Sequence, residues 1–135
     1  MTREGGCLCG AVRYRVDGDP RETVYCHCRM CQQSAGAAFI TWATFPKQAV
    51  RYATGEPAIY RSSDHAQREF CGKCGTQLVF RGDRLPTADV TLASLDDPDA
   101  FEPVANTWVR SRRPWLHGFD ERLRDLEGEW PGDES

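Results

Sequence analysis

The sequence is poor in lysine and histidine and has no excess of positive charge. Only two of its 135 residues are lysines, Lys47 and Lys73, and three are histidines. Acidic residues outnumber basic residues by 20 to 17, which gives a formal net charge of −3. A chain with this balance lacks the broad positive field that nucleic-acid-binding domains present to phosphates. We therefore expect no nucleic acid among its partners.

Long apolar stretches are also missing. No run approaches the roughly 18 apolar residues that a membrane-spanning helix needs. The first ten residues, MTREGGCLCG, lack the apolar core of a signal peptide. We expect no membrane partner and a cytoplasmic location, where thiols stay reduced. A length of 135 residues is typical of one domain.

Cysteine, in contrast, is abundant and clustered. An odd number of cysteines in a reducing compartment argues against a disulfide framework, whereas C-x-C and C-x-x-C spacings favour metal binding. The seven cysteines are Cys7, Cys9, Cys26, Cys28, Cys31, Cys71 and Cys74.

Short β-prone segments separated by Gly, Pro and Asp predict a mainly β fold with little helix. In AVRYRV (11–16), apolar and charged residues alternate as in a half-buried strand. Close spacing of such segments favours antiparallel sheets. One helical turn is expected at CRMCQQSAG (28–36), and a short C-terminal helix at FDERLRDLEG (119–128). Further strands are predicted within 22–26, 37–45, 49–53, 57–62, 68–71, 76–80, 88–95 and 105–110.

Four of the cysteines form two pairs that suit one enclosed ion. In a strand, residues i and i+2 face the same side, so Cys7 and Cys9 can offer two sulfurs to one metal. Cys71 and Cys74 have the spacing of a zinc knuckle, with glycines in the turn. Two such pairs make the four-thiolate tetrahedron of a structural zinc site.

The remaining triplet, Cys26, Cys28 and Cys31, leaves one coordination position open, as in working zinc sites. Three thiolates make zinc a weak Lewis acid and favour a soft fourth ligand. A small thiol bound there would lose its proton and remain nucleophilic. The triplet therefore predicts chemistry that makes or breaks carbon–sulfur bonds.

Other interpretations remain open. Cys7 and Cys9 could share an ion with Cys28 and Cys31, although this partition divides the local triplet. The triplet could also be a second structural zinc, closed by a histidine, a carboxylate or another chain. In that case the protein would be a zinc-stabilised protein-binding module without catalytic activity. A redox sensor that loses zinc on oxidation is a third possibility.

These cysteine motifs and several later stretches resemble the glutathione-dependent formaldehyde-activating enzyme family, which also includes centromere protein V. The resemblance extends in family order from near residue 5 to near residue 117. The stretches are GGCLCGAVRY (5–14), CHCRMCQQSAGAAF (26–39), FCGKCGTQL (70–78), SLDDPDAF (94–101) and RPW (113–115).

The resemblance implies a small zinc-bearing fold of layered antiparallel sheets, sometimes called a β-tent. It implies two Zn²⁺ ions: a structural one at Cys7, Cys9, Cys71 and Cys74, and a labile one at Cys26, Cys28 and Cys31. The activity it implies is condensation of glutathione with formaldehyde to S-(hydroxymethyl)glutathione, a carbon–sulfur lyase reaction in reverse. A small thiol and a small aldehyde would then be the partners. Assembly into a homo-oligomer is also left open by the sequence.

Two further expectations concern the substrate pocket and the chain's organisation. Arg29 could meet a carboxylate of the thiol substrate, and Trp108 could wall the cleft. The family often has His-x-Trp where this chain has Asn106-Thr107-Trp108, so the pocket could differ here. We expect a zinc domain over residues 1–118, followed over 119–135 by the short helix and an acidic tail.

Overall fold

The computed structural model describes residues 1–119 and 121–131 and is mainly β, as the sequence predicts. Its elements are β1 (Thr2–Gly6), β2 (Arg13–Asp17), β3 (Glu22–Cys26), α1 (Arg29–Ala35), β4 (Ile40–Pro46), β5 (Val50–Thr54), β6 (Ala58–Ser63), β7 (Ala66–Phe70), β8 (Gln77–Gly82), β9 (Thr87–Thr91), β10 (Ala105–Thr107) and β11 (Arg124–Asp125). Three single-turn 3₁₀ helices occur at Lys47–Ala49, Leu92–Ser94 and Val109–Ser111. In the described residues, no helix is long and apolar enough to cross a membrane.

The strands form two sheets. The small sheet has the order β1-β2-β5, and the large sheet has the order β11-β10-β3-β4-β9-β8-β7-β6. Most neighbours are antiparallel, but β10 pairs in parallel with both β3 and β11. The predicted antiparallel pairing thus holds for most of the strands, and the large sheet is mixed only through β10.

The main core lies between the two sheets. Tyr14 and Val16 of β2 meet Phe45 of β4 and Val90 of β9 there, and all four are fully buried. A second, smaller core covers the opposite face of the large sheet around Val24, Cys26, Ile40 and Trp42. Because strand side chains alternate between faces, β4 contributes Phe45 to one core and Trp42 to the other.

The N-terminal strand β1 was not predicted, and its glycines explain why. TREGG has little β propensity, since glycine weakens isolated strands. At Gly5 an added Cβ would lie 2.5 Å from the Tyr14 hydroxyl and 2.6 Å from the Ser94 carbonyl oxygen. The strand therefore needs glycine here, because the Tyr14 side chain of β2 and the 3₁₀ turn at Leu92–Ser94 pack closely against it.

The predicted C-terminal helix over 119–128 is wrong within the described residues. The chain there makes turns and the two-residue strand β11, with Asp120 and the end of the predicted tail, 132–135, outside those residues. Backbone pairing with β10 replaces helical bonds, because Leu126 N–H donates to the Asn106 carbonyl at 2.8 Å. Leu126 and Trp130 also pack on the second core. Tertiary burial thus outweighs local helix propensity.

Candidate metal centres

Four cysteine sulfurs from two distant turns come together near the small sheet. Cys7 and Cys9 lie in the turn after β1, and Cys71 and Cys74 lie in the turn between β7 and β8. All four sulfur atoms are within 4.8 Å of one another. The Sγ atoms of Cys7 and Cys71 each lie 3.7 Å from that of Cys9. A tetrahedral zinc site with bonds of about 2.3 Å places sulfurs roughly 3.8 Å apart, so this group fits zinc.

The first pair of this group lies in a turn and not in a strand. Cys7 and Cys9 were expected to face the same side of a strand, but they belong to a turn. Within the turn, Cys7 is buried and held by two bonds: its N–H donates to the Val12 carbonyl at 3.0 Å, and Val12 N–H donates to Cys7 Sγ at 3.2 Å. Cys9 is exposed, yet its sulfur still lies 3.7 Å from that of Cys7.

The local backbone of the second pair suits thiolate ligands. Cys71 Sγ accepts from the N–H groups of Lys73 and Cys74 at 3.4 and 3.5 Å. Gly75 follows with a φ of 83°, a conformation that glycine adopts without steric cost. The hydroxyl and backbone of Thr76 are the main causes that lower the pKa of Cys74 to about 5. Metal ligation needs the deprotonated thiol, and these donors favour it.

The three remaining cysteines form a second group on the opposite face of the large sheet. Cys26 is the last residue of β3, Cys28 is the N-cap of α1 and Cys31 lies in the first turn of that helix. Their sulfurs are within 4.8 Å of one another, and Cys26 and Cys31 are 3.3 Å apart. Contacts with the Cys26 and Cys31 thiols lower the pKa of Cys28, whereas the same kind of contact raises the pKa of Cys26.

Helix α1 is short and positioned by its ends. Cys28 is extended, with φ −65° and ψ 151°, and its sulfur accepts from Cys31 N–H at 3.4 Å. Gly36 ends the helix in the left-handed conformation, with φ 63°. These two ends hold a helix of seven residues, about two turns, beside the triplet.

The triplet has no fourth protein ligand in the part of the chain that the structure describes. No histidine or carboxylate in residues 1–119 and 121–131 joins its three sulfurs. His27, between two of the cysteines, points elsewhere and contacts Asn106 Oδ1 at 2.9 Å. The group instead lies at the wall of a cavity of about 1050 Å³. The structure thus places an incomplete metal-ligand set beside a space large enough for a small molecule.

A buried arginine, which the sequence reasoning missed, lies against the triplet. Arg68 of β7 is only 6% exposed, and both of its terminal nitrogens lie 3.8 Å from Cys31 Sγ. Its Nε atom is buried without a hydrogen-bond partner. A buried cation needs a nearby negative charge, and thiolates supply one. Arg68 therefore supports thiolate ligands for a divalent metal. No local sequence pattern indicated this position, because an arginine in a short strand is ordinarily exposed.

The predicted pocket residues Arg29 and Trp108 both line the cavity. Arg29 Nη1 donates to Gln32 Oε1 at 2.9 Å. Trp108 is the one non-glycine residue with positive φ, 57°, among the residues described. Left-handed backbone costs such a residue on the order of 1 kcal/mol. Packing on the second core and the Arg110 guanidinium, 5.2 Å from the ring centroid, hold it at the cavity wall.

The cavity floor is a row of side chains across four β-ladders of the large sheet. Register aligns the row in the order Arg68, Phe80, Asp89, Thr44 and Glu22. Thr44 Oγ1 donates to Asp89 Oδ1 at 2.6 Å. Burial, reinforced by the nearby Glu129 and Glu22, raises the pKa of Asp89 to about 6. The cavity therefore has a cationic end near the cysteines and an acidic side.

Asn106, at which the resemblance led us to expect a difference in the pocket, is not among the residues that line the cavity. It is fully buried, and it bridges His27 on one side and Asp125 on the other. Asp125 in turn pairs with Arg112 at 2.8 Å. Asn106 therefore belongs to a buried network behind the triplet and not to the wall of the cavity.

The chain is similar to known proteins of one family. A model of the family described as glutathione-dependent formaldehyde-activating enzyme matches residues 2–111. An uncharacterized lyase of Schizosaccharomyces pombe is 32% identical, covering 73% of this chain and 83% of that protein. A Halomonas elongata protein, provisionally named a glutathione-dependent formaldehyde-activating enzyme, is 30% identical over 93% of this chain and 85% of its own length.

A solved structure supports the fold. The crystal structure of a Rhodobacter sphaeroides protein matches with a TM-score of 0.61 and 24% identity, covering 74% of this chain and 96% of that chain. The family match spans most of the chain and includes all seven cysteines of the two sulfur groups. The chain therefore belongs to the glutathione-dependent formaldehyde-activating enzyme family.

Proposed function

We propose that the protein is a zinc-dependent carbon–sulfur lyase acting on adducts of a small, glutathione-like thiol and a small aldehyde. The observation that carries this proposal is the three-cysteine group, which has no fourth ligand among the described residues and opens onto a cavity of about 1050 Å³. The family match and the name of the Halomonas elongata relative support glutathione and formaldehyde as the substrates.

The two sulfur groups take different roles in this proposal. Cys7, Cys9, Cys71 and Cys74 would hold a structural zinc, because four ligands close the coordination shell. Cys26, Cys28 and Cys31 would hold the working zinc, which when bound lowers the pKa of a thiol in the fourth position and keeps it nucleophilic. All seven cysteines lie in described residues and are free of disulfide bonds, as this role requires.

The chemistry itself needs few protein groups. In the forward sense the thiolate sulfur attacks the aldehyde carbon, a C–S bond forms, and the carbonyl oxygen takes up a proton. In reverse the hydroxyl proton leaves, the C–S bond breaks, and aldehyde and thiolate separate. The chain's part is to hold the thiolate and to surround the small electrophile with a shaped cavity.

Arg29 and Trp108 are proposed to contact the thiol substrate in this cavity. Arg29 is an exposed cation at the N-terminal turn of α1 and can bind a carboxylate at the rim. Trp108 offers an apolar wall beside Cys26 and Cys28. Both would affect substrate binding more than the bond-forming step.

Exchange spectroscopy with zinc-loaded protein tests the proposal. Formaldehyde and glutathione equilibrate with their adduct in buffer, and the protein should accelerate the exchange between free and bound signals in NMR. Cys28→Ser should lose this acceleration while keeping its fold. Gln33→Ala, an exposed position on the same helix, is the matched control and should retain it. An exchange rate equal to that of buffer alone would refute the proposed activity.

A further inference from the structure

We propose that Arg68 balances the charge of the three-cysteine group so that a further, anionic sulfur ligand can bind there. The inference deepens the proposed function and rests on it, since it concerns the same site and the same class of thiol. It adds a positioning residue that neither the cysteine spacing nor the family's cysteine motifs indicate.

Arg68 is a buried cation with no carboxylate partner in the described part of the chain. The six side-chain ion pairs there involve other arginines. The adjacent Glu69 points to the opposite face, where it pairs with Arg81 at 3.0 Å. Asp89, on the same face, lies two strands away in the cross-sheet row. The nearest candidates for a counter-charge are therefore the cysteine sulfurs.

The position of the guanidinium is fixed by three kinds of contact. Both Nη atoms lie 3.8 Å from Cys31 Sγ, and Nη1 donates to Ser34 Oγ at 3.3 Å. The group also lies over the Phe80 ring, 5.2 Å from its centroid. A planar fork with several donors can make all these contacts together, and its charge persists at any relevant pH.

The net charge of the three-cysteine group explains why a cation is needed beside it. Three thiolates around a divalent ion leave one net negative charge, and a fourth thiolate adds another. In a buried site with low dielectric, unbalanced charge of one sign strongly opposes the binding of more. The positive charge of Arg68 beside Cys31 cancels one of these negative charges. Its presence therefore favours the binding of an anionic ligand over a neutral one. Trp42, whose Nε1 lies 3.4 Å from Cys31 Sγ, adds a neutral donor to the same sulfur.

Ligand titration of cobalt-loaded protein tests this role without measuring turnover. Cobalt(II) occupies zinc sites and its absorption bands report the ligands bound. The wild type, Arg68→Met and Arg68→Lys would each be titrated with 2-mercaptoethanol and, separately, with neutral imidazole. The matched control is Arg61→Met, on the neighbouring strand β6, where the side chain is exposed and pairs with Asp83.

Arg68→Met should weaken thiol binding by about 10- to 100-fold while imidazole binding changes little. Arg68→Lys should recover most of the thiol affinity, and Arg61→Met should behave as wild type. Metal-free Arg68→Met should also melt no lower than metal-free wild type, because an apolar side chain replaces a buried charge. If Arg68→Met does not fold, Arg68→Gln, which can still bond to Ser34, takes its place.

Two results would overturn the inference: equal thiol affinity in Arg68→Met and wild type, or equal losses for thiol and imidazole. The second would mean that Arg68 shapes the site without acting through charge. A wild type that binds no thiol would overturn the proposed function as well. If the wild type binds the thiol and Arg68→Met binds it with the same affinity, only the role of Arg68 is refuted.

Discussion

At the scale of single residues, Asp89 is a carboxyl group that the cavity holds at a cost in stability. Its pKa is raised from 3.8 to about 6, chiefly by burial. Between these values the native state binds more protons than the unfolded state, so this group's contribution to stability falls as pH rises through the window. An ionisable group kept in an unfavourable environment within a cavity is typical of functional sites.

Asp89→Asn should therefore raise stability at pH 7.5 by roughly 1–2 kcal/mol, a value discounted for partial solvent exposure. At pH 4 the gain should nearly vanish, because Asp89 is then protonated in the folded protein. Asparagine still accepts the bond from Thr44. Urea unfolding at the two pH values measures the difference.

Asp83→Asn is the comparison for this experiment. The hydrogen bond with Arg61 lowers the pKa of this exposed carboxyl, so the ionised form of Asp83 favours the native state. Asp83→Asn should therefore give no gain in stability at pH 7.5. An equal gain in both variants would point to a general effect of net charge, and not to burial of Asp89.

A second prediction at this scale concerns Asn106. Asn106→Ala should cost about 1–3 kcal/mol, because it removes the bonds to His27 and Asp125 inside the protein. Thermal or urea unfolding of the metal-loaded protein measures this loss. Asn106→His keeps polar ring nitrogens that can bond to the same partners and should recover part of it. A neutral effect of the alanine variant would contradict the structural role assigned to this network.

At the scale of elements, sequence patterns located most strands but not the two at the ends of the chain. Strands β2 to β10 overlap the predicted segments, because β-branched and aromatic residues alternate there. Within the predicted segment 105–110, strand β10 ends at Thr107, because the backbone of Trp108 adopts the left-handed conformation. Strands β1 and β11 depend on contacts with distant residues, and such contacts leave no local pattern.

The turn that carries Cys7 and Cys9 was also only partly predictable from the sequence. Their spacing indicated a shared ion, although the element was a turn and not a strand. Arg68 could not be assigned from sequence, because an arginine in a short strand is ordinarily exposed. Its inward orientation follows from the register of β7 with β8, which sequence spacing does not determine.

Strand β11 allows a direct test of the corrected C-terminal segment. Leu126→Pro removes the N–H that donates to Asn106, and should destabilise the segment and speed cleavage of the exposed chain around Arg124 by trypsin. Leu126→Ala keeps the N–H and should show the smaller effect. If the segment were a helix in solution, circular dichroism of Leu126→Pro would show a loss of helical signal, which this fold excludes.

At the scale of the whole molecule, the two sulfur groups lie on opposite faces of the large sheet and should differ in their effect on folding. The four-cysteine group joins turns that are 62 residues apart, from Cys9 to Cys71. Binding energy of about 10 kcal/mol or more for a structural zinc then contributes directly to folding. The triplet spans only six residues, so its ion stabilises little beyond α1.

Native mass spectrometry during titration with a mild chelator should therefore show two zinc ions, one of which leaves first while the charge-state distribution of the folded protein persists. Cys28→Ser should retain one ion and a cooperative melt. Cys9→Ser should lose the cooperative melt. Two ions that leave together, or equal damage from both substitutions, would favour a protein-binding module with two structural zincs.

The C-terminal segment has a consequence for how relatives diversify. The family match ends at residue 111, yet Glu129 and Trp130 form part of the cavity wall. Residues outside the family match can therefore change the shape of the cavity while every sulfur ligand stays in place. Under the proposed function, exchanging the segment around Glu129 and Trp130 between homologues should alter which thiol is bound.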